Sequence, residues 1–202
     1  KRFAVISGGP GTGKTSTVVK IIALLLEQAG ENHPSFALAA PTGKAAARLK
    51  ESIRLMKEKL DCAEGVKARI PDEVTTIHRL LGAVGDSIRF RHSKENPLPH
   101  DTVIVDEASM VSLPLMAKLA TALKPEARLI LLGDRDQLAS VEAGAVLGDI
   151  CGGSRVEPFS GEFAPFAHKV AGETVPAEGT IDMLPPLSDS LVVLKKNYRF
   201  GE

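Results

Sequence analysis

The length, composition and charge of the chain exclude several classes of protein. The chain has 202 residues, of which 44% are hydrophobic and 25% are charged. These fractions are ordinary for a globular protein and differ from those of disordered, collagen-like or coiled-coil chains. The 25 basic and 25 acidic side chains cancel, so no overall field would attract a polyanion. Any contact with nucleic acid must therefore come from a local patch.

The cysteines and the apolar runs bear on the surroundings of the protein. Cys62 and Cys151 have no partner at metal-ligand spacing, so neither a disulfide framework nor a zinc site is indicated. The longest apolar run, about Ile21 to Leu26, is much too short to cross a bilayer, and the amino terminus lacks the pattern of a signal peptide. We therefore expect a cytoplasmic protein with no membrane contact.

Apolar periodicity predicts alternating strands and helices along the chain. The predicted strands are short runs of apolar residues: Phe3–Ser7, Phe36–Ala40, Thr102–Val105, Arg128–Leu132 and Leu191–Leu194. The predicted helices have a period near 3.6: Thr15–Gln28, about Lys44–Leu60, and one whose start is marked by Ser112 and Pro114. This alternation predicts an α/β fold with a mainly parallel sheet, helices on both faces, and ligands at the carboxyl ends of the strands.

Two stretches are less regular. Residues 82–101 are expected to hold a small hairpin around Ile88 and Phe90. Residues 152–190 are rich in Gly and Pro and carry Phe159, Phe163 and Phe166, so this stretch either packs as a short helix or waits for a partner.

A glycine-rich loop between the first strand and the first helix predicts a phosphate site. It matches the Walker A pattern through Gly8, Gly9, Pro10, Gly11, Thr12, Gly13, Lys14 and Thr15. Glycines let backbone N–H groups point at the β- and γ-phosphates, and the helix that begins there adds a positive dipole end. Lys14 would neutralise phosphate charge and the Thr15 hydroxyl would ligate Mg²⁺. The alternative, a glycine-rich turn that caps a helix, does not account for the strand, loop, lysine and helix together.

An acidic pair follows the strand Thr102–Val105. The strand carries Asp106 to the sheet edge, where the carboxylate can hold the water shell of a metal ion. Glu107 would then lie beside the γ-phosphate and deprotonate the attacking water. Without a Walker A loop, such a pair is more often a helix cap.

Two polar motifs follow later strands. Gln137 comes after the strand Arg128–Leu132 and can reach the γ-phosphate or its water as a sensor of the nucleotide state; alternatively this is a polar turn in which Asp136 caps a helix. Arg199 follows the last strand and could stabilise charge on the transferred phosphoryl group. Without the other motifs it would be an ordinary surface charge.

The order of the motifs resembles superfamily 1 helicases. Five motifs stand in the order of that superfamily: Gly8 to Thr15, Ala40 to Ala46, Thr76 to Leu80, Asp106 to Met110, and Gly133 to Leu138. The stretch GDRDQLASVEAGAVLGDIC from Gly133 to Cys151 and the ending NYRFG resemble the RecD family, the alpha subunit of exodeoxyribonuclease V. The resemblance covers roughly Arg2 to Cys151 and Leu194 to Gly201.

This resemblance implies an ATP-hydrolysing DNA helicase that uses ATP and Mg²⁺ and moves 5′ to 3′ on single-stranded DNA. Residues 1–202 would form one RecA-like motor domain, and the partners would be the beta and gamma subunits, in double-strand break processing. The residues that would meet the DNA backbone are Pro41, Thr42, Gly43, Lys44, Thr76 and His78. A loop at a strand end with free N–H groups, a hydroxyl and a lysine suits phosphate contact without base readout. Alternatively, Thr42 and Gly43 only cap a helix and His78 is a surface histidine.

A complete helicase would also have an adenine-recognition segment before Lys1 and a second RecA-like domain after Glu202. We therefore expect these 202 residues to be part of a longer protein and to hydrolyse ATP slowly or not at all by themselves. A RecD-like helicase that works without partner subunits remains an alternative. A small-molecule P-loop kinase or nucleotide switch is a further one, although the guanine-specific Asn-Lys-x-Asp motif is missing.

Overall fold

The computed structural model describes residues 2–84, 89–137, 146–151, 159–179 and 187–198. Its strands are β1 (Phe3–Ser7), β2 (Phe36–Ala40), β3 (Val74–Thr76), β4 (Thr102–Val105), β5 (Arg128–Gly133) and β6 (Leu191–Val193). Its α-helices are α1 (Lys14–Ala29), α2 (Gly43–Lys59), α3 (Glu64–Arg69), α4 (Ile77–Leu81), α5 (Leu113–Thr121), α6 (Val146–Ile150) and α7 (Phe163–Ala171). Within these ranges, 3₁₀ helices lie at Ala108–Met110 and Ser188–Ser190.

The strands form one sheet in the order β3-β2-β4-β5-β1-β6, and all five pairings are parallel. The predicted α/β fold is therefore confirmed, as are the five predicted strands to within one residue at either end. The sheet has one strand more than predicted, namely β3. The sequence did not predict β3 because the strand is only three residues long and its register with β2 is set by long-range pairing. A short run of Val and Thr fits a strand, but periodicity cannot separate so short a run from a loop.

Alternate residues of the strands pack in two hydrophobic cores, one on each face of the sheet. Val103 and Val105 of β4 point into a core with α4, α5 and α6, whereas Ile104 points into a core with α1, α2 and α3. Helices thus cover both faces, as parallel strands with apolar residues on both sides require.

Local signals set the ends of the two long helices. Gly30, with φ of 56°, ends α1 and donates its N–H to the Glu27 carbonyl. Thr42 begins α2, and its side chain accepts a hydrogen bond from the Ala45 N–H. Thr42 therefore places the start of α2 at the carboxyl edge of the sheet, directly after β2.

The two irregular stretches are only partly described. Ala83 and Phe90 form an isolated antiparallel bridge, but Ile88 and the centre of the expected hairpin lie outside the described residues. Within 152–190, α7 begins where the Ser160 hydroxyl accepts from the Phe163 N–H, and the same hydroxyl donates to Asp189 at 2.7 Å. The segment therefore holds a short helix that is tied to the entry of β6.

Among the ranges given above, no helix is both long enough and apolar enough to cross a membrane.

Gly133, at the end of β5, lies so close to Leu147 and Ser109 that there is no room for a side chain. A Cβ there would lie 2.5 Å from Leu147 Cδ2 and 3.2 Å from the backbone nitrogen of Ser109. The leucine can rotate but the backbone cannot, so we expect Gly133→Ala to lower the free energy of unfolding by roughly 1–3 kcal/mol. Urea unfolding measures this.

Gly65→Ala is the matched control for Gly133→Ala. Gly65 lies in α3 with nothing within 4 Å of an added Cβ, so alanine there should be neutral or stabilise by up to about 1 kcal/mol. Equal unfolding midpoints for the two variants would show that the contact at Gly133 relaxes without cost.

Candidate functional site

The parallel sheet brings the predicted site residues to one edge. The P-loop follows β1, and Pro41 to Lys44 follow β2. Thr76 ends β3, and His78 lies in α4 directly after it. Asp106 and Glu107 follow β4, and Gln137 follows β5. Because all the strands run in the same direction, their carboxyl ends meet at this edge. Arg199 lies outside the described residues.

The P-loop takes its shape from glycines that adopt positive φ. Gly11 has φ of 82° and Gly13 has φ of 86°, a conformation that costs residues with a side chain more than glycine. The Gly8 N–H donates to the Gly133 carbonyl at 3.0 Å, which anchors the loop to the end of β5. A Cβ on Gly8 would lie 2.5 Å from the Thr12 hydroxyl oxygen, so the loop is wound too tightly there for any larger residue.

Lys14 folds back over this loop. Its Nζ donates to the Gly8 carbonyl at 2.6 Å and to the Gly9 carbonyl at 3.1 Å. In the described part of the chain, the backbone N–H groups of Lys14 and Thr15 have no acceptor. An ammonium group and unpaired N–H groups at one loop fit a phosphate, which offers only acceptors.

Asp106 lies close enough to Lys14 for the two charges to interact. Burial raises the pKa of Asp106, and the Glu107 carboxylate raises it further. A hydrogen bond from the Glu107 N–H to Asp106 Oδ1 at 2.9 Å and the charge of Lys14 act in the opposite direction. A carboxylate that burial destabilises gains most from a cation at its free oxygen, and the Thr15 hydroxyl lies at the start of α1, directly after Lys14. These hard oxygen atoms fit Mg²⁺.

Glu107 occupies a strained turn. Its φ is 53° and its ψ is 39°, which makes it the one non-glycine residue with positive φ in the described part of the chain. Such a conformation costs of order 1–3 kcal/mol and persists only where the surroundings enforce it. The turn directs the chain from β4 into the 3₁₀ helix Ala108–Met110, so the strain is located at the acid that follows Asp106.

Gln137 is connected to the residues after β4. Its Oε1 accepts from the Ser109 hydroxyl at 3.1 Å. In the same loop, the Arg135 N–H donates to the Ser7 hydroxyl at 3.1 Å, at the end of β1. The loop after β5 therefore touches the ends of both neighbouring strands. Sequence reasoning did not single out Ser109 or Ser7, because only the strand order brings them to this loop.

The segment after β6 lies against the P-loop. The Tyr198 N–H donates to the Gly11 carbonyl at 2.9 Å, and Asn197 Nδ2 donates to the Pro10 carbonyl at 3.2 Å. Carbon atoms of the Tyr198 ring lie 3.8 Å from the position of a Cβ on Gly13. Sequence reasoning used this segment for its resemblance to the RecD family and as the carrier of Arg199, and no local signal predicted that it packs on the P-loop.

The candidate DNA-binding residues form a second part of the same edge. The Thr42 hydroxyl accepts from the Ala45 N–H and the Thr76 hydroxyl from the Arg79 N–H, both at 3.2 Å. Ala40 pairs with Thr76 in the sheet, so the two capped helix starts lie side by side. Thr42 therefore does cap a helix, as the alternative proposed, but each hydroxyl still has its proton to donate.

Lys44 and His78 flank the two caps and are exposed. The His78 ring lies 5.8 Å from the Phe90 ring at a tilt of 52°. Neither side chain is needed by the core, so both are available to a ligand at this edge.

A P-loop on a parallel sheet, with an acidic pair and a glutamine at the ends of adjacent strands, defines a RecA-like P-loop nucleotide-binding protein. A family model described as an AAA domain matches residues 1–143. The chain belongs to that family, and its similarity to curated proteins places it among the RecD proteins.

Three relatives illustrate this similarity. The RecBCD enzyme subunit RecD of Mycobacterium tuberculosis is 58% identical over 156 residues, which are 75% of this chain and 27% of that protein. The subunit of the same name from Haemophilus influenzae is 46% identical over 204 residues, covering 99% of this chain and 31% of that protein. The ATP-dependent RecD2 DNA helicase of Deinococcus radiodurans is 44% identical over 146 residues, covering 72% of this chain and 17% of that protein. The chain thus spans less than a third of the length of these relatives.

Proposed function

We propose that this chain is the ATP-binding motor domain of a DNA helicase that moves 5′ to 3′ on single-stranded DNA, as the alpha subunit of exodeoxyribonuclease V in the cytoplasm. One observation carries the proposal: a phosphate loop and two capped helix starts share one edge of the sheet. Nucleotide binding at the first can therefore be coupled mechanically to DNA contact at the second.

The P-loop residues Gly8 to Thr15 would hold the triphosphate of ATP. Lys14 would leave the carbonyl groups of Gly8 and Gly9 and neutralise the phosphate oxygens instead. Thr15 and Asp106 would hold Mg²⁺, which when bound would supply positive charge against the charge that develops on the phosphates.

Glu107 would orient the attacking water and accept its proton. Arg199 would approach the transferred phosphoryl group from the segment that packs on the P-loop and stabilise its charge. Closure against the second RecA-like domain of the full-length protein would exclude bulk water from this site.

The DNA backbone would lie across the capped starts of α2 and α4. Thr42 and Thr76 would donate their hydroxyl protons to phosphate oxygens, while Lys44 would add positive charge. The backbone at Pro41 and Gly43 allows close approach, and His78 adds an exposed ring on which a base can stack. All these contacts are independent of base identity, which suits a motor that moves along any sequence.

Gln137 is our candidate for the residue that connects the nucleotide site to the DNA-binding residues, and the hydrogen bond from Ser109 holds its side chain in place. In full-length protein, Gln137→Ala is expected to retain ATP binding and to lose most strand separation, because the loop after β5 no longer responds to the γ-phosphate. The measurement is unwinding of duplexes with a 5′ or a 3′ single-stranded tail, beside binding of a fluorescent ATP analogue. Wild type should unwind only the duplex with the 5′ tail.

Ser109→Ala is the control for Gln137→Ala. It removes the hydrogen bond at 3.1 Å but keeps the glutamine, so a smaller loss is expected if Gln137 acts on the nucleotide itself. Unaltered unwinding by Gln137→Ala would remove Gln137 from the sensor role, and unwinding from a 3′ tail would overturn the proposed polarity.

A helicase that works without partner subunits is the second candidate, because the Deinococcus relative carries the name of a RecD2 DNA helicase. The mycobacterial and Haemophilus relatives are named as subunits of the RecBCD enzyme, and they match at higher identity. Co-purification of the full-length protein with beta and gamma subunits separates the two candidates. A small-molecule kinase or nucleotide switch is not favoured by any of these relatives.

A further inference from the structure

The Ser7 side chain joins the strand that leads into the P-loop to the loop after β5 (residues 134–137), which carries Gln137. Ser7 is the last residue of β1 and directly precedes Gly8. Its hydroxyl oxygen accepts a hydrogen bond from the Arg135 N–H at 3.1 Å. The two partners are 128 positions apart in the chain, so this bond is a tertiary contact and not part of a local turn.

The contact lies where the backbone ladder between β1 and β5 ends. Ser7 and Gly133 are the last pair of that ladder, and the Gly8 N–H donates to the Gly133 carbonyl at 3.0 Å. Beyond this pair the two segments leave the sheet, and the Arg135 N–H donates to the Ser7 hydroxyl in place of a backbone carbonyl. The hydroxyl therefore extends the connection between the P-loop and the loop after β5 past the end of the ladder.

Ser7 is itself held in place on its other side. It pairs with Val193 of β6, and its carbonyl accepts from the Leu194 N–H at 2.8 Å. Only 1% of Ser7 is exposed, so its hydroxyl does not reach a nucleotide in the P-loop. An influence of Ser7 on the reaction must therefore pass through the residues that it contacts.

The loop after β5 is short enough for an anchor at Arg135 to set the position of Gln137. The Asp134 carbonyl accepts from the Gln137 N–H at 3.3 Å, which closes the loop into a turn. The Gln137 Oε1 accepts from the Ser109 hydroxyl at 3.1 Å. The bond to Ser7 thus holds the backbone of the turn, and the bond from Ser109 holds the side chain of Gln137.

The turn also lies against the P-loop. Asp134 Oδ2 is 3.8 Å from the position of a Cβ on Gly9, one of the two residues whose carbonyl groups accept from Lys14. A movement of the P-loop on phosphate binding would therefore reach the turn, and the Ser7 hydroxyl holds the two segments in register.

We propose that Ser7 is a positioning residue for ATP hydrolysis: its hydroxyl holds the loop after β5 where Gln137 reaches the γ-phosphate or the attacking water. The proposal rests on the role of Gln137 in the proposed function. Ser7 touches neither ATP nor water. It acts by restricting the turn, because an anchored glutamine loses less orientational freedom when the transition state forms.

The test is steady-state ATP hydrolysis by the full-length protein saturated with single-stranded DNA. Ser7→Ala should lower kcat about 3- to 10-fold, as expected for one lost hydrogen bond, and change the KM for ATP less than about twofold, since the P-loop backbone is kept. Ser7→Thr keeps the hydroxyl and should retain most of the wild-type kcat. Ser7→Val has the shape of the threonine variant without the hydroxyl and should resemble Ser7→Ala.

Ser35→Ala is the matched control. The Ser35 hydroxyl also accepts from the backbone N–H of a distant residue, Asp101, at 3.1 Å, but at the amino edge of the sheet, where β2 and β4 begin. Both alanine variants should lower the melting temperature, because each leaves an N–H without its acceptor. Only Ser7→Ala should lower kcat.

A second background separates positioning of Gln137 from a general loosening of the fold. In Gln137→Ala protein, adding Ser7→Ala should slow single-turnover hydrolysis less than about twofold further, because no glutamine remains to be positioned. The same factor in both backgrounds, or an equal loss of kcat in Ser35→Ala, would show that Ser7 only stabilises the fold. Equal kcat values for Ser7→Thr and Ser7→Val would show that the hydroxyl is not responsible.

Failure of this inference can be distinguished from failure of the proposed function. Normal turnover by Ser7→Ala beside slow turnover by Gln137→Ala would contradict only the role of Ser7. Normal turnover by both variants would remove Gln137 from the reaction, and the role of Ser7 with it. Wild-type protein without DNA-stimulated turnover would contradict the proposed function itself together with the inference that rests on it.

Discussion

Replacing Lys14 by glutamine in the full-length protein is expected to lower DNA-stimulated ATP turnover by about a hundredfold or more. The Lys14 ammonium lies directly over the P-loop, where it donates to the Gly8 and Gly9 carbonyls. Glutamine keeps much of the length of the side chain but loses the charge that would offset the phosphates. Losing one preorganised group of this kind typically costs a factor of about 10² to 10³ in rate.

The measurement is steady-state ATP hydrolysis with and without single-stranded DNA. Lys20→Gln is the matched control, because Lys20 lies in the same helix, is exposed and stands six residues beyond Lys14. The control should behave like wild type. DNA-stimulated turnover of Lys14→Gln within a few-fold of wild type would show that the P-loop does not bind the reacting phosphates.

The second large effect is expected for Glu107→Gln. This variant should bind Mg²⁺ and ATP as well as wild type and should hydrolyse ATP about 10² to 10⁴ times more slowly, the usual contribution of a positioned general base. The amide has nearly the shape of the carboxylate and can occupy the same strained backbone at φ of 53°. Its effect therefore reports on proton transfer and not on folding.

Single-turnover hydrolysis and equilibrium nucleotide binding together distinguish this role from others. Glu126→Gln, the same change at an exposed acid in the turn before β5, is the control and should be silent. Asp106→Asn should differ from Glu107→Gln by weakening Mg²⁺-dependent nucleotide binding, because the buried Asp106 carboxylate is the proposed metal ligand. If Glu107→Gln loses binding and Asp106→Asn loses only turnover, the two assigned roles are exchanged.

The local signals of the sequence were sufficient for the elements that carry the site. The strands Phe3–Ser7, Phe36–Ala40 and Thr102–Val105 and the starts of the long helices were predicted within a residue, because apolar periodicity and caps such as Thr42 act over a few neighbouring residues. The Walker A spacing is equally local. The parallel sheet also predicted that ligands bind at the carboxyl ends of the strands, and the candidate residues of the described ranges do follow strand ends at that edge.

By itself, then, the sequence determined the class of fold, the phosphate loop and which side chains stand at strand ends. Only the tertiary structure decided that β5 lies between β1 and β4, that β3 extends the sheet beside β2, and that Ser109, Ser7 and Tyr198 touch the loops of the site. The physical reason is range. Caps, turns and periodicity depend on residues a few positions apart, whereas the side-chain contacts of Ser109 and Ser7 with the loop after β5 join residues 28 and 128 positions apart. The free energies of such contacts depend on the packing of the whole sheet.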